Sequence, residues 1–328
     1  MILKSAEIGS VQSRRSKLFL VIACVSAVMS APPRAQAQSG LWAGDSLLAL
    51  GRLASAESAY YAAARARPRD PLVRAALGRF LAARGATRVG TVLLEEARQF
   101  GGDSAVIARA LVPMYARLGD FAAIDTLRPA VLSAVERRRA RWLREHPPLA
   151  NFRDSIVVLS YRPTADGEGV GTILVRFGRA QVTALIDPRV SGLLVPRTMA
   201  SDVRTFGEKA GTAIFGVADA VRIGGIVFSS VPATIDIPDS KLRLGFDVLA
   251  SYSPTFDPRR GLVTLRKPER RSRLQPGARV PTLFDANGVR LLVGDRWQPS
   301  TAAMPAMLLA TRQWMWDGRR GDIVFLTP

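Results

Sequence analysis

Apolar residues recur every three or four positions from about residue 42 to residue 146, and glycines at Gly51, Gly85 and Gly119 break the pattern at intervals of 34. Each glycine ends one apolar helix pattern and starts another, which predicts a row of helical hairpins. From Asp154 the period shortens to two, in Ser155-Ile156-Val157-Val158-Leu159-Ser160-Tyr161, in Gly171-Thr172-Ile173-Leu174-Val175-Arg176-Phe177 and in Gln181-Val182-Thr183-Ala184-Leu185-Ile186. Short strands separated by glycine turns predict a small barrel. The chain is therefore expected to be multi-domain α + β, with helices first and strands after.

The helical spacing has a specific match. Gly51, Leu53, Ala56, Tyr60, Ala63 and Pro68 form a turn glycine, a bulky residue, a small alanine, an aromatic, a second alanine and a closing proline. Leu77-Gly78, Gly85 and Ala97 follow one period later, and Leu111, Tyr115, Gly119, Phe121 and Ile124 after that. This resembles the tetratricopeptide (TPR) repeat, and implies an N-terminal α-solenoid of about three TPR-like hairpins. Ala130 to Glu145 reads as a capping helix, apolar at Val131, Val135 and Trp142, that Pro147-Pro148 end. Such repeats serve either as a concave surface for a peptide or protein ligand, or as a packing spacer for the β domain.

The third β run ends in Asp187-Pro188-Arg189-Val190-Ser191-Gly192-Leu193-Leu194-Val195. Downstream lie Ala220 to Phe228 with its Gly224-Gly225 turn, then Val231 to Ile235, then Leu244-Gly245-Phe246-Asp247-Val248-Leu249, then Thr255 to Leu265. In order and spacing these elements resemble the retropepsin-like aspartic peptidases over residues 153–268. The resemblance implies an acid-protease-like all-β barrel with a short helix after Gly245. Asp187 is then the candidate catalytic residue, with Pro188, Arg189, Ser191, Gly192 and Gly245 as its motif neighbours. No metal and no cofactor is implied.

Aspartic peptidases hold two carboxylates close enough to share one proton, and the pair polarises a water. A domain of this length supplies one aspartate, so an active hydrolase requires a two-fold homodimer with Asp187 from each copy. Where the family has threonine and glycine, this chain has Pro188 and Arg189. Proline lacks the bracing hydroxyl and the N–H, and arginine brings bulk where the family has a hydrogen atom. A guanidinium within about 4 to 6 Å holds a carboxylate ionised, opposing a shared proton by about 1.4 to 4 kcal/mol. The residues therefore predict a degenerate, non-cleaving barrel if Arg189 faces Asp187, and leave an aspartic endopeptidase open if it turns away.

Comparison of the chain with itself at an offset of 60 aligns Leu249-Ala250 with Leu309-Ala310, Phe256-Asp257 with Trp316-Asp317, and Arg259-Arg260-Gly261 with Arg319-Arg320-Gly321. Residues 275–328 thus read as a partial repeat of the barrel half, in the manner of a two-lobed pepsin and with an appended β-hairpin. The unit has no Asp-Thr-Gly motif; Asp317 aligns with the hairpin residue Asp257, and neither it nor Asp285 or Asp295 is expected to supply a second carboxylate. Trp297, Trp314 and Trp316 are either core or an aromatic peptide-binding face.

Export follows from the N-terminus. Arg14, Arg15 and Lys17 precede the apolar run Leu18 to Val25, and Ala35-Gln36-Ala37 closes the segment. This predicts a signal peptide over 1–37 and a periplasmic or extracellular protein. Ser13-Arg14-Arg15 also fits a twin-arginine signal, and Val21 to Cys24 a lipoprotein box. The remaining boundaries are helical repeats over 38–146, a linker at 147–152, the barrel at 153–268 and the repeat at 275–328. No stretch has the roughly 18 apolar residues of a transmembrane segment. Cys24 is the single cysteine and His146 the single histidine, which excludes disulfides and multi-histidine metal sites from the mature chain. Net charge is +19, and +15 without the leader's five cations and one anion. The arginines are scattered through both domains without interleaved aromatics, so nucleic acid is not the expected partner. Structural service in the envelope is the third functional reading, beside peptide binding and proteolysis.

Overall fold

Sequence periodicity becomes two kinds of architecture in the computed structural model, which describes residues 43–127, 131–164, 168–209, 213–236, 241–250, 252–267, 277–285, 288–317 and 322–326. The leader with Arg14, Arg15 and Cys24, the Arg319-Arg320-Gly321 end of the internal repeat and Ala130 lie outside the described residues.

Helical backbone over residues 43–49 (α1) is followed by α2 (Leu53–Ala66), α3 (Pro71–Ala83), α4 (Thr87–Gln99), α5 (Ser104–Leu118), α6 (Phe121–Asp125) and α7 (Ala134–Glu145). Side chains set the starts. Asp70 accepts from the N–H groups of Leu72 and Val73, with Pro71 in the first turn, and Asp103 does the same for Ala105 and Val106. Gly51, Gly85 and Gly119 all adopt the left-handed conformation at the turns, where a side chain would be strained. The third hairpin departs from expectation, because α6 stops at Asp125, shortly before Pro129 in the sequence. The capping helix begins at Ala134 rather than Ala130, since Ser133 and Glu136 form a reciprocal capping box there.

The expected linker at 147–152 contains a strand. Leu149–Phe152 (β1) pairs antiparallel with β8 (Ile226–Asp236), and Phe152 packs on Tyr252 at 5.0 Å. Strands β2 (Ile156–Pro163), β3 (Gly171–Phe177), β4 (Ala180–Asp187), β5 (Leu193–Val195), β6 (Val203–Lys209), β7 (Ala213–Ile223) and β9 (Arg243–Gly245) complete the region with the short helix α8 (Phe246–Ala250). The order β3-β4-β9-β5-β8-β7, closed by pairing of β7 back to β3, makes a six-stranded barrel filled by residues such as Ile173, Val175, Phe177 and Ile223. The architecture is therefore N-terminal helices and a β-barrel region, compatible with a retropepsin-like β domain.

Beyond the barrel, β10 (Thr255–Asp257), β11 (Leu262–Arg266), β12 (Ala278–Asp285), β13 (Gly288–Val293), β14 (Arg296–Pro299), α9 (Ala303–Thr311), β15 (Trp314–Asp317) and β16 (Asp322–Phe325) extend the sheet. Trp314 and Trp316 are buried against Phe256 and Phe246, so they are core and present no open aromatic face. The Trp297 indole N–H donates to the Leu48 carbonyl of α1 at 2.6 Å. His146 is exposed and stacks on Trp142. No helix among the described residues is long and apolar enough to cross a membrane.

The helical turns face the strands. The Gly51 turn meets Leu292 and the Asp295 carbonyl, and Arg84 at the next turn donates to the Thr282 carbonyl at 2.6 Å and to Asp322 at 2.8 Å. On α7, Arg138 holds the Phe206 carbonyl at 2.7 Å while Arg139 lies over the Phe215 ring and donates to the Ala233 carbonyl. Arg141 and Arg144 bind Asp125. The arginines of this helix thus fasten one part of the chain to another.

Candidate functional site

β4 enters the barrel interior as Ala184-Leu185-Ile186, all buried, and delivers Asp187 at its C-terminal end. There β4 runs parallel to β9 with Asp187 opposite Gly245, while β9 also pairs antiparallel with β5. The chain therefore leaves β4, turns through residues 188–192 and returns on the far side of β9. That path leaves no room for side chains at two points. A Cβ on Gly245 would lie 2.6 Å from the Val190 carbonyl oxygen, and one on Gly192 would lie 2.1 Å from that of Pro232. Gly245 N–H donates to the Gly192 carbonyl at 2.7 Å, closing the turn.

Asp187 is 1% exposed. Its Oδ1 accepts from the Arg189 main-chain N–H and from Arg189 Nε, both at 2.9 Å. Its Oδ2 accepts from Arg189 Nη2 at 2.9 Å and from Arg243 Nη1 at 2.8 Å. Arg189 also donates to the Glu168 carbonyl. Burial alone would raise the Asp187 pKa; hydrogen bonds from the Arg189 side chain and backbone and from Arg243 outweigh it and hold the group below its ordinary value of 3.8. Among the described residues no second carboxyl group hydrogen-bonds Asp187. Both carboxylate oxygens therefore act as acceptors here, each from two donors.

The turn's other end has its own acid. Asp247 Oδ2 accepts from Ser191 Oγ at 2.7 Å, Oδ1 accepts from the Val248 N–H at 3.0 Å, and both oxygens receive the Gly192 N–H. Arg117, at the end of α5, lies within the field of this carboxylate. Ser191 is thus a brace.

Asp187, Pro188, Arg189, Ser191, Gly192 and Gly245 all come together in this one turn. Asp295 does not; it is exposed at the β13–β14 turn. Asp285 ends β12, where its backbone pairs with Gly288, and its side chain lies outside the described set. Sequence reasoning missed Arg243 and Asp247. Neither carries a local signal: the β4–β9 register brings Arg243 to Asp187, and Asp247 reaches Ser191 and Gly192 from 55 or more positions away. Gly288, at the start of β13, lies against this turn, since a Cβ there would meet the Pro188 carbonyl oxygen at 2.9 Å and the Arg189 Cα at 3.0 Å.

No protein-family model matches the chain, and no curated protein matches it. Among solved structures it is similar to the crystal structure of a retropepsin-like aspartic protease from Rickettsia conorii, at 14% identity with a TM-score of 0.27. That match covers 36% of this chain and 90% of that one.

Proposed function

We propose that this is an exported protein in which TPR-like helices accompany a retropepsin-like barrel, and that it acts by binding a peptide or protein without cleaving it. The observation behind the reading is the saturation of Asp187. Peptide hydrolysis by aspartates needs a carboxylate oxygen free to polarise water and a proton shared with a second acid. Here four donors from two arginines occupy both oxygens. A fluorogenic peptide library incubated with the mature protein from acidic to neutral pH tests the reading. The expected result is no turnover in wild type or in Asp187→Asn. Cleavage by wild type that Asp187→Asn abolishes would establish the alternative, an aspartic endopeptidase working as a homodimer.

One observation favours a structural role in the envelope as a second reading: the Gly51 and Arg84 turns of the helical part are occupied by the chain's own strands. A peptide array separates the two readings. Binding predicts retention of a sequence-selective subset of peptides, and a scaffold predicts none. Export is tested by N-terminal sequencing of the protein recovered from the envelope fraction, with Gln38 expected as the first residue.

A further inference from the structure

Two hairpins in the β part have the same construction. In β3–β4, Phe177 pairs with Ala180 around the turn Gly178-Arg179, and Arg176 with Gln181, Val175 with Val182 and Leu174 with Thr183 follow. In β13–β14, Val293 pairs with Arg296 around Gly294-Asp295, and Leu292 with Trp297, Leu291 with Gln298 and Arg290 with Pro299 follow. Both turns place glycine first in the left-handed conformation, at φ 58° and 67°. Each set ends in a short helix, a strand and a hairpin return: α8, β10 and β11 after the intervening β5 to β9 in one case, and α9, β15 and β16 directly after β14 in the other. Those later elements are the ones related by 60 residues in sequence.

The two sets meet on a symmetric register. β10 and β15 are antiparallel neighbours with Thr255 opposite Met315, its own counterpart 60 positions on. The Trp316 N–H donates to the Pro254 carbonyl at 3.1 Å, one step away. The order β12-β16-β15-β10-β11-β2 reads the same from either end, with β2 and β12 as equivalents. A local two-fold axis therefore passes between Thr255 and Met315. In a symmetric dimer formed through β10, Thr255 would face the partner's Thr255.

We infer that the unit formed by β12 to β16 with α9 occupies the place of a second subunit. The ladder of β14 ends where the Ser300 N–H bonds the Val289 carbonyl, and the chain turns directly into α9. Among the described residues the second set has no counterparts of β5 to β9. Gly288 against Pro188 and Arg189 shows this unit covering the aspartate turn from the side of the axis. The chain thus forms a pseudo-dimer by itself.

Cross-linking in full-length chains carrying Cys24→Ser tests this directly. With Trp316 and Pro254 hydrogen-bonded, Thr255 and Met315 form the adjacent non-hydrogen-bonded pair, whose Cα separation of about 4.5 Å is within disulfide range. Thr255→Cys with Met315→Cys should oxidise to a disulfide within one chain. Thr255→Cys alone should give no covalent dimer. Sedimentation of the unmutated chain, which does not depend on the variants folding, should give the mass of one chain at every concentration. A covalent dimer from Thr255→Cys alone, or a two-chain mass for the unmutated protein, overturns the inference. Neither readout involves cleavage or ligand binding, so its failure is separate from failure of the proposed function.

Discussion

Two buried aspartates in this molecule are each held by two arginines, and the difference between them lies in where the arginines come from. Asp187 takes its main partner from two residues away, Arg189, and its second from Arg243 across the β4–β9 pairing. Asp322 binds Arg84 at 2.8 Å, a residue 238 positions earlier, and lies 3.7 Å from Arg279, which itself binds Asp317 at 2.8 Å. The second cluster balances two acids with two bases and joins the helices to the C-terminal strands. The first has one acid to two bases and fixes a single turn. The same ion-pair chemistry therefore serves as a fastener between distant segments in one place, and in the other fixes the turn that follows β4.

The imbalance makes Asp187 the more sensitive site. Removing it takes from Arg189 and Arg243 the carboxylate that both bind and leaves Glu168 as the remaining charge acting on Arg189, the costly way to break a buried pair. Asp187→Ala should destabilise the protein by about 3 kcal/mol, the lower end of the range for such deletions, because Arg189 can reach solvent. Urea unfolding measures it, and a loss of under about 1 kcal/mol would mean that the grip contributes little.

Asp322→Asn should cost somewhat less, about 1.5 to 3 kcal/mol, since one charged hydrogen bond is lost and Arg279 keeps Asp317. Its distinguishing effect is topological. Limited proteolysis should cut faster in the helical segment of Asp322→Asn than in that of Asp187→Ala, compared at equal global stability. Equal cutting patterns would contradict the assignment of this cluster as the inter-segment fastener.

The Asp187 site also carries a pH signature of its own. The folded-state pKa of Asp187 lies below its unfolded value, so its stabilisation is fully present above about pH 5. It is lost as pH falls through the ordinary carboxylate range toward the folded value. The stability gap between wild type and Asp187→Asn should therefore be flat from pH 7 to about 5 and shrink below about 4. A gap that widens on acidification would indicate a raised pKa and a proton held at Asp187, which is the behaviour of an acid pair.

Much of this was legible in the sequence because it is local. Alternation in 171–177 specifies a half-buried strand, the glycines at 51, 85 and 119 mark turns, and Arg189 stands only two residues from the Asp187 that it binds. Arg243 was not legible, because only the parallel register that sets Leu185 opposite Arg243 brings it to Asp187. Arg84 and Asp322 carry no mutual signal at all across 238 residues. The strand at 149–152 escaped because two prolines precede it and four residues are too few to display a period. The offset of 60 exposed an internal repeat, but that its two copies face each other across β10 and β15 is a property of pairing, which alternation does not encode.

The smallest effect gives the finest comparison within the Asp187 cluster. Arg189 spends its fork on the carboxylate, with Nε and Nη2 each bonding one oxygen, whereas Arg243 contributes Nη1 alone and its Nε has no hydrogen-bond partner. A lysine can replace a single point donor but not a fork. Arg243→Lys should therefore cost only about 0.5 kcal/mol, and Arg189→Lys two to three times as much even though the Arg189 side chain is the more exposed of the two. Chemical denaturation of the two variants in parallel reads the ratio. If it is inverted, the distant strand and not the adjacent residue holds the carboxylate.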